Sequence, residues 1–328
     1  MTEMLRFSQL GHAVLRDLVA LQPNESVLII ADTGTPTGLA EAYMAAALQI
    51  TDDAVLVIER QRQITAMELA PPLSGAIAEA RVILGLGAGV FSRSDACTKA
   101  LSAGARVLLT DPRNMIDYLL DGILNVDVDL MNRRTAALAD ALGSASHCSI
   151  TTATGATLKC ELTGRAVLVS DGRAVTPGEM DYYPGSQVSI APIETSIEGR
   201  VVVDGSMSTL GRVHDPFAMT LARGEVQEIA GDGADARRFR DHVAEQNDPT
   251  LSKLCHLSIG LNPKAVISGN IYEDERFFGC IDFGFGSQDA KFGGTIGLSK
   301  HHIDVVSSSP TIELDGVTIL SDNLLHIG

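Results

Sequence analysis

The chain has 328 residues, 45% of them hydrophobic and 20% charged, and a formal net charge of −16 at pH 7. That composition supports a large core and excludes a disordered chain, and the length favours two domains. An acidic chain without tryptophan, and with only 4% aromatic residues, repels phosphate backbones and offers no stacking platform, which excludes nucleic acid as a partner.

The opening, Met1-Thr2-Glu3-Met4-Leu5-Arg6, lacks a basic stretch leading into an apolar core, and no apolar run approaches membrane-spanning length. The expectation is a soluble cytoplasmic protein with no membrane partner. Five cysteines, Cys97, Cys148, Cys160, Cys255 and Cys280, include no C-x-x-C pair and read as reduced thiols.

From about Phe7 to Leu21, Leu10, Val14, Leu15, Leu18 and Leu21 recur at helical spacing. Ser26 to Ala31 is an unbroken apolar run, as in a strand covered on both faces. A helix from about Leu39 to Gln49, a strand from Ala54 to Ile58, a loop and helix within Pro71 to Ala80, and a strand from Arg81 to Leu86 follow. Next come a helix from Ser92 to Ala103, a strand from Arg106 to Thr110 and a long helix from about Asp129 to Leu142. This alternation predicts an α/β Rossmann-like domain over residues 1–146. Its glycine-bearing loops, Asp32-Thr33-Gly34-Thr35-Pro36-Thr37-Gly38 and Leu84-Gly85-Leu86-Gly87-Ala88-Gly89, match neither the dinucleotide fingerprint nor a Walker loop and read as tight βα turns.

The pattern changes at His147. Strands are expected at Ser149–Thr154, Thr157–Leu162, Ala166–Ser170 and Arg200–Val203, and a hairpin about Gly224. One helix, Ala234 to Glu245, carries Arg237, Arg238 and Arg240 on a solvated face. Residues 147–328 therefore read as an α+β, β-rich domain, and its last third holds the metal-binding candidates. His302 and Asp304 are two apart in an extended run, so both side chains leave one face of a strand, and His301 leaves the other. His256, before Leu257-Ser258-Ile259-Gly260, is the third ligand candidate. On a strand, Cys255 would point away from it and pack as a small apolar residue. Two imidazoles and one carboxylate leave part of an ion's coordination open, which suits ferrous iron better than a closed structural zinc site.

Four segments in order carry a resemblance: Pro184-Gly185-Ser186-Gln187-Val188-Ser189-Ile190-Ala191-Pro192, Glu198-Gly199-Arg200-Val201-Val202-Val203-Asp204, His256-Leu257-Ser258-Ile259-Gly260-Leu261-Asn262-Pro263 and His302-Ile303-Asp304. The chain resembles the aminopeptidase T family, dinuclear metallopeptidases with an α/β N-terminal and a β-rich C-terminal domain. It departs from that pattern at Gln187 and His256, where the peptidases carry glutamate ligands, and at Asp282, where they carry a histidine. Gly286-Ser287-Gln288-Asp289 has no counterpart of their catalytic tyrosine. It is more similar to the 2,5-dihydroxypyridine 5,6-dioxygenase branch of that fold. Tyr182 stands where that branch has a histidine, and Ser170 where it has an acidic residue.

This resemblance implies one Fe(II) per chain on His256, His302 and Asp304, a small aromatic substrate, dioxygen, ring cleavage and a homodimer. Tyr183 is the expected proton acceptor, with Tyr182 and Glu179 beside it, and Glu194 and Glu198 are candidates to orient a ligand histidine. One alternative is an aminopeptidase-like hydrolase using zinc, cobalt or manganese, with Glu275, Asp282 or Asp289 completing a second site. Another is a ligand-binding relative without catalysis.

Overall fold

A computed structural model describes residues 2–61, 70–87 and 91–327. Ala88-Gly89, the end of the second glycine-bearing loop, lies outside the described residues. The chain forms two compact units, Met1–Val126 with Ser170–Gly185, and Asp127–Val169 with Ser186–Gly328.

The first unit is built on a parallel sheet of β1 (Val27–Asp32), β2 (Ala54–Glu59), β3 (Val82–Leu86), β4 (Arg106–Thr110) and, from far along the chain, β8 (Met180–Tyr182). Their order is β2-β1-β3-β4-β8. The apolar runs of β1, β3 and β4 are buried throughout, because successive side chains enter two different cores. Val27, Ile29, Leu84 and Leu86 pack with Phe7 and Leu10 of α1 (Glu3–Ala13), Leu39 and Tyr43 of α2 (Thr37–Ala47), and Leu119 of α5 (Ile116–Leu124). Leu28, Ile30, Ile83 and Val107 pack with Ile77 of α3 (Pro71–Glu79) and Cys97 of α4 (Asp95–Ser102). Each fully buried aliphatic side chain contributes about 1.5–3 kcal/mol.

The first helix ends at Ala13 and continues as one π turn, Val14–Leu18. The loop after β1 is a tight turn: Asp32 Oδ1 accepts from the Gly34 and Thr35 amides at 2.7 and 3.1 Å.

The second unit starts with α6 (Val128–Ser144). The sequence reading places this helix in the first half of the chain. Its Leu138 and Leu142 instead enter the second unit's core.

Two sheets form the rest of the unit. One contains β5 (His147–Thr152), β6 (Thr157–Glu161), β10 (Glu198–Val203), β13 (Phe217–Ala222), β14 (Glu225–Ala230), β18 (Pro310–Leu314), β19 (Val317–Ser321) and β20 (Leu324–Leu325). Their order is β14-β13-β10-β6-β5-β18-β19-β20. Arg223 and Gly224, at φ 52° and 78°, make the β13–β14 turn, the left-handed pair that a two-residue hairpin requires.

The other sheet contains β7 (Val167–Ser170), β9 (Gln187–Ile190), β11 (Ser206–Met207), β12 (Gly211–Arg212), β15 (Leu254–Gly260), β16 (Ile281–Gly286) and β17 (His302–Ser307). It runs β12-β11-β17-β16-β15-β9-β7. Ile150, Leu158, Val201 and Ile312 of the first sheet share one core with Ile190, Leu257, Phe283 and Val305 of the second. The helix expected near residue 240 is α7 (Ala234–Gln246). The described residues thus form a mixed α/β protein with one parallel and two large antiparallel sheets.

Candidate metal centre

The strand β16 sets the geometry. Ile281, Phe283 and Phe285 enter the core, so alternation sends Asp282, Gly284 and Gly286 to the opposite face. On one side of it His256 pairs with Gly284 and Ser258 with Asp282. On the other side Asp304 also pairs with Gly284, and His302 pairs with Gly286. His256 and Asp304 therefore flank a residue without a side chain, and they lean together above it. A Cβ on Gly284 would lie 2.3 Å from His256 Nε2.

The structure brings all three ligand candidates together. His256 Nε2 and His302 Nε2 are 3.2 Å apart, His302 Nε2 is 2.8 Å from Asp304 Oδ1, and His256 Nε2 is 3.5 Å from Asp304 Oδ1. Neighbouring ligand atoms around one ion, each bonded at about 2.0–2.2 Å, stand about 3 Å apart. The imidazoles stack at 5.1 Å between centroids.

Hydrogen bonds turn the rings toward this point. His302 Nδ1 is 2.8 Å from the Ser287 carbonyl oxygen. A carbonyl only accepts, so Nδ1 carries the proton and Nε2 presents its lone pair. His256 Nδ1 is 3.2 Å from Ser258 Oγ, which is 2.7 Å from Ser189 Oγ.

The electrostatics demand a positive charge. Asp282 is 0% exposed, and among the described residues neither of its carboxylate oxygens has a hydrogen-bond partner. Burial, then the carboxylates of Asp304 and Glu275, push its pKa well above the usual range. Burial alone would lower the His302 pKa, but Asp304 and Cys255 outweigh it and raise it well above the ordinary value. Groups arranged in this way fit a divalent cation, and among the described residues two sets have ligand atoms within 4.8 Å of one another: Cys255, His256 and His302, and His256, Asp282 and Asp304.

Cys255 departs from the expectation of a thiol facing away. The pairing of β15 with β16 shifts register between Leu254 and His256. This bulge turns Cys255 Sγ to 3.7 Å from His302 Nδ1 and 3.7 Å from the Ser287 carbonyl. His301 does face away, its Nδ1 3.1 Å from Asp248 Oδ2.

Beyond β16, Phe292 stacks on His256 at 5.6 Å. Glu194 anchors that segment instead of orienting a histidine: it pairs with Arg165 and accepts from the Thr295 amide at 2.7 Å. Glu198 receives the Arg223 amide at 2.9 Å, again away from the imidazoles. Gln187 hydrogen-bonds Glu275, which also pairs with Arg276.

The three residues expected to handle protons belong to the first unit. Tyr183 is 1% exposed and donates to the Tyr43 hydroxyl at 3.0 Å. Burial, together with Tyr43, raises its pKa well above the usual phenol value, so it keeps its proton at neutral pH. Tyr182 shares a 2.7 Å hydrogen bond with Ser92. Glu179 Oε2 accepts from the Val175 and Thr176 amides at 2.9 and 2.7 Å. Gly284, Ser287 and Phe292 went unread in the sequence. The alternation of Ile281, Phe283 and Phe285 with Asp282, Gly284 and Gly286 was the signal that could have found the first of them.

A mixed α/β scaffold with two imidazoles and a carboxylate at one point of a sheet face defines a candidate single-ion metal centre. The chain belongs to the 2,5-dihydroxypyridine 5,6-dioxygenase (NicX) family, which matches residues 7–326. It is 25% identical over 191 residues to the 2,5-dihydroxypyridine 5,6-dioxygenase of Pseudomonas putida KT2440, a span that covers 56% of this chain and 51% of that protein. The chain thus spans about half the length of the curated relative it matches.

Two solved structures share the fold. The 2,5-dihydroxypyridine dioxygenase from Pseudomonas putida KT2440 superimposes with a TM-score of 0.81 at 20% identity, covering 99% of this chain and 98% of that one. Wild-type AmpT from Thermus thermophilus superimposes with a TM-score of 0.71 at 12% identity, covering 99% and 100%. No helix among the described residues is long and apolar enough to cross a membrane.

Proposed function

We propose that this chain is a mononuclear non-haem Fe(II) dioxygenase that opens a hydroxylated N-heteroaromatic ring, in the manner of a 2,5-dihydroxypyridine dioxygenase. The supporting observation is the convergence of His256, His302 and Asp304 within 3.5 Å in a chain of a dioxygenase family. These three residues would hold the iron. Ferrous iron supplies the one-electron chemistry through which a closed-shell ring can react with triplet dioxygen.

The chain's own groups do the rest. Ser287 and Ser258 fix the two imidazoles, so no reorientation is needed when the ion enters. Phe292, 7% exposed, shields His256 from water. The substrate hydroxyl must lose a proton. Glu275, whose pKa is raised by burial and by Asp304 against the opposing pull of Arg276, is the second unit's acceptor. The working enzyme is a cytoplasmic homodimer.

The test is anaerobic loading with Fe(II), followed by oxygen uptake with a panel of dihydroxypyridines and catechols. One iron per chain and oxygen consumption with a dihydroxypyridine are expected. His302→Ala should lose iron while keeping its far-UV circular dichroism. Two zinc or manganese ions per chain, with peptide cleavage and no oxygen uptake, would reject the proposal in favour of a hydrolase.

A further inference from the structure

The site holds one carboxylate more than that reading uses. Asp282 sits on the ligand face of β16, two residues before Gly284 and opposite Ser258. It is fully buried, and among the described residues neither of its oxygens has a donor. The hydroxyl across from it, Ser258 Oγ, is engaged with Ser189 and His256. Such a group either keeps a proton or faces a cation.

Two observations favour the cation. Ligand atoms of Asp282, His256 and Asp304 fall within 4.8 Å of one another, a few tenths of an ångström more than two bonds of about 2.2 Å placed across an ion. The charges then balance in pairs: Glu275 is neutralised by Arg276, and a dication neutralises Asp282 and Asp304 together.

We propose that Asp282 is a fourth protein ligand, so that two imidazoles and two carboxylates hold the ion. The inference rests on the metal-site reading above and narrows it. A six-coordinate ion then has two open positions instead of three. A substrate bound through one oxygen leaves a place for dioxygen, whereas a chelating vicinal diol fills both.

The experiment is an anaerobic titration of the full chain with Co(II), read by equilibrium dialysis and by the d–d absorption of the bound metal. Asp282→Asn keeps the side-chain shape and removes the charge. It should weaken Co(II) binding at least about tenfold. At saturation it should also intensify and shift the d–d band, because the coordination number falls by one. The metal-free variant should melt no lower than the metal-free parent, since an unpaired buried carboxylate has gone. If Asp282→Asn does not fold, Asp282→Ser is judged by the same readouts.

Parental affinity and an unchanged spectrum in the variant overturn the proposal. His302→Ala separates the two levels. If it loses Co(II) while Asp282→Asn does not, only the fourth ligand is wrong. If both bind as the parent does, the metal-site reading itself fails.

Discussion

His302 is held from both ends, by the Ser287 carbonyl at Nδ1 and by Asp304 at Nε2. Without a metal, its raised pKa means that a proton occupies the nitrogen an ion needs. The proton competes with the metal below that raised pKa and ceases to compete above it. Metal affinity should therefore climb from pH 5 to pH 8, as read by Co(II) dialysis across that range, and a flat profile would contradict the raised pKa of His302. Residues at this scale were legible unevenly. The pair His302 and Asp304 follows from the two-residue period of a strand, which a sequence displays directly. Cys255 does not, because a bulge breaks that period at one position and leaves no compositional mark.

At the scale of the element, the decisive strand is β16, and Gly284 is its decisive position. Two neighbouring strands each aim a ligand across it, and the space above it belongs to the His256 ring. Gly284→Ala should preserve the sheet, since alanine is compatible with extended backbone, yet lower Co(II) affinity about 100-fold. Unchanged circular dichroism with lost metal binding would establish the glycine as part of the site. From sequence, glycines at 284 and 286 signal a loop more readily than a buried strand. Two other elements escaped for different reasons. At three residues, β8 is too short and too polar to read as a strand of a parallel sheet. The helix α5 follows Asp-Pro-Arg-Asn, and its apolar face was hidden behind that loop signature. The long apolar runs of β1, β3 and β4 were readable because burial on both faces leaves no alternation to misjudge.

At the scale of the molecule, a net charge of −16 favours the approach of cations over anions. Ion binding stabilises whichever region holds the ligands, by about 2.7 kcal/mol at a hundredfold excess over Kd. Because the three ligands belong to the second unit, hydrogen exchange should show Co(II)-dependent protection in β15, β16 and β17. The first unit's parallel sheet should change little. Equal protection throughout would mean that the two units open as one cooperative body.

The parallel sheet of the first unit takes its last strand, β8, from a segment that follows β5, β6 and β7 in the chain. During synthesis, β4 therefore waits with one edge unpaired while part of the other unit emerges from the ribosome. Biogenesis cannot run strictly from the N-terminal half to the C-terminal half. Cutting the gene between the two halves would leave that sheet with an open, sticky border.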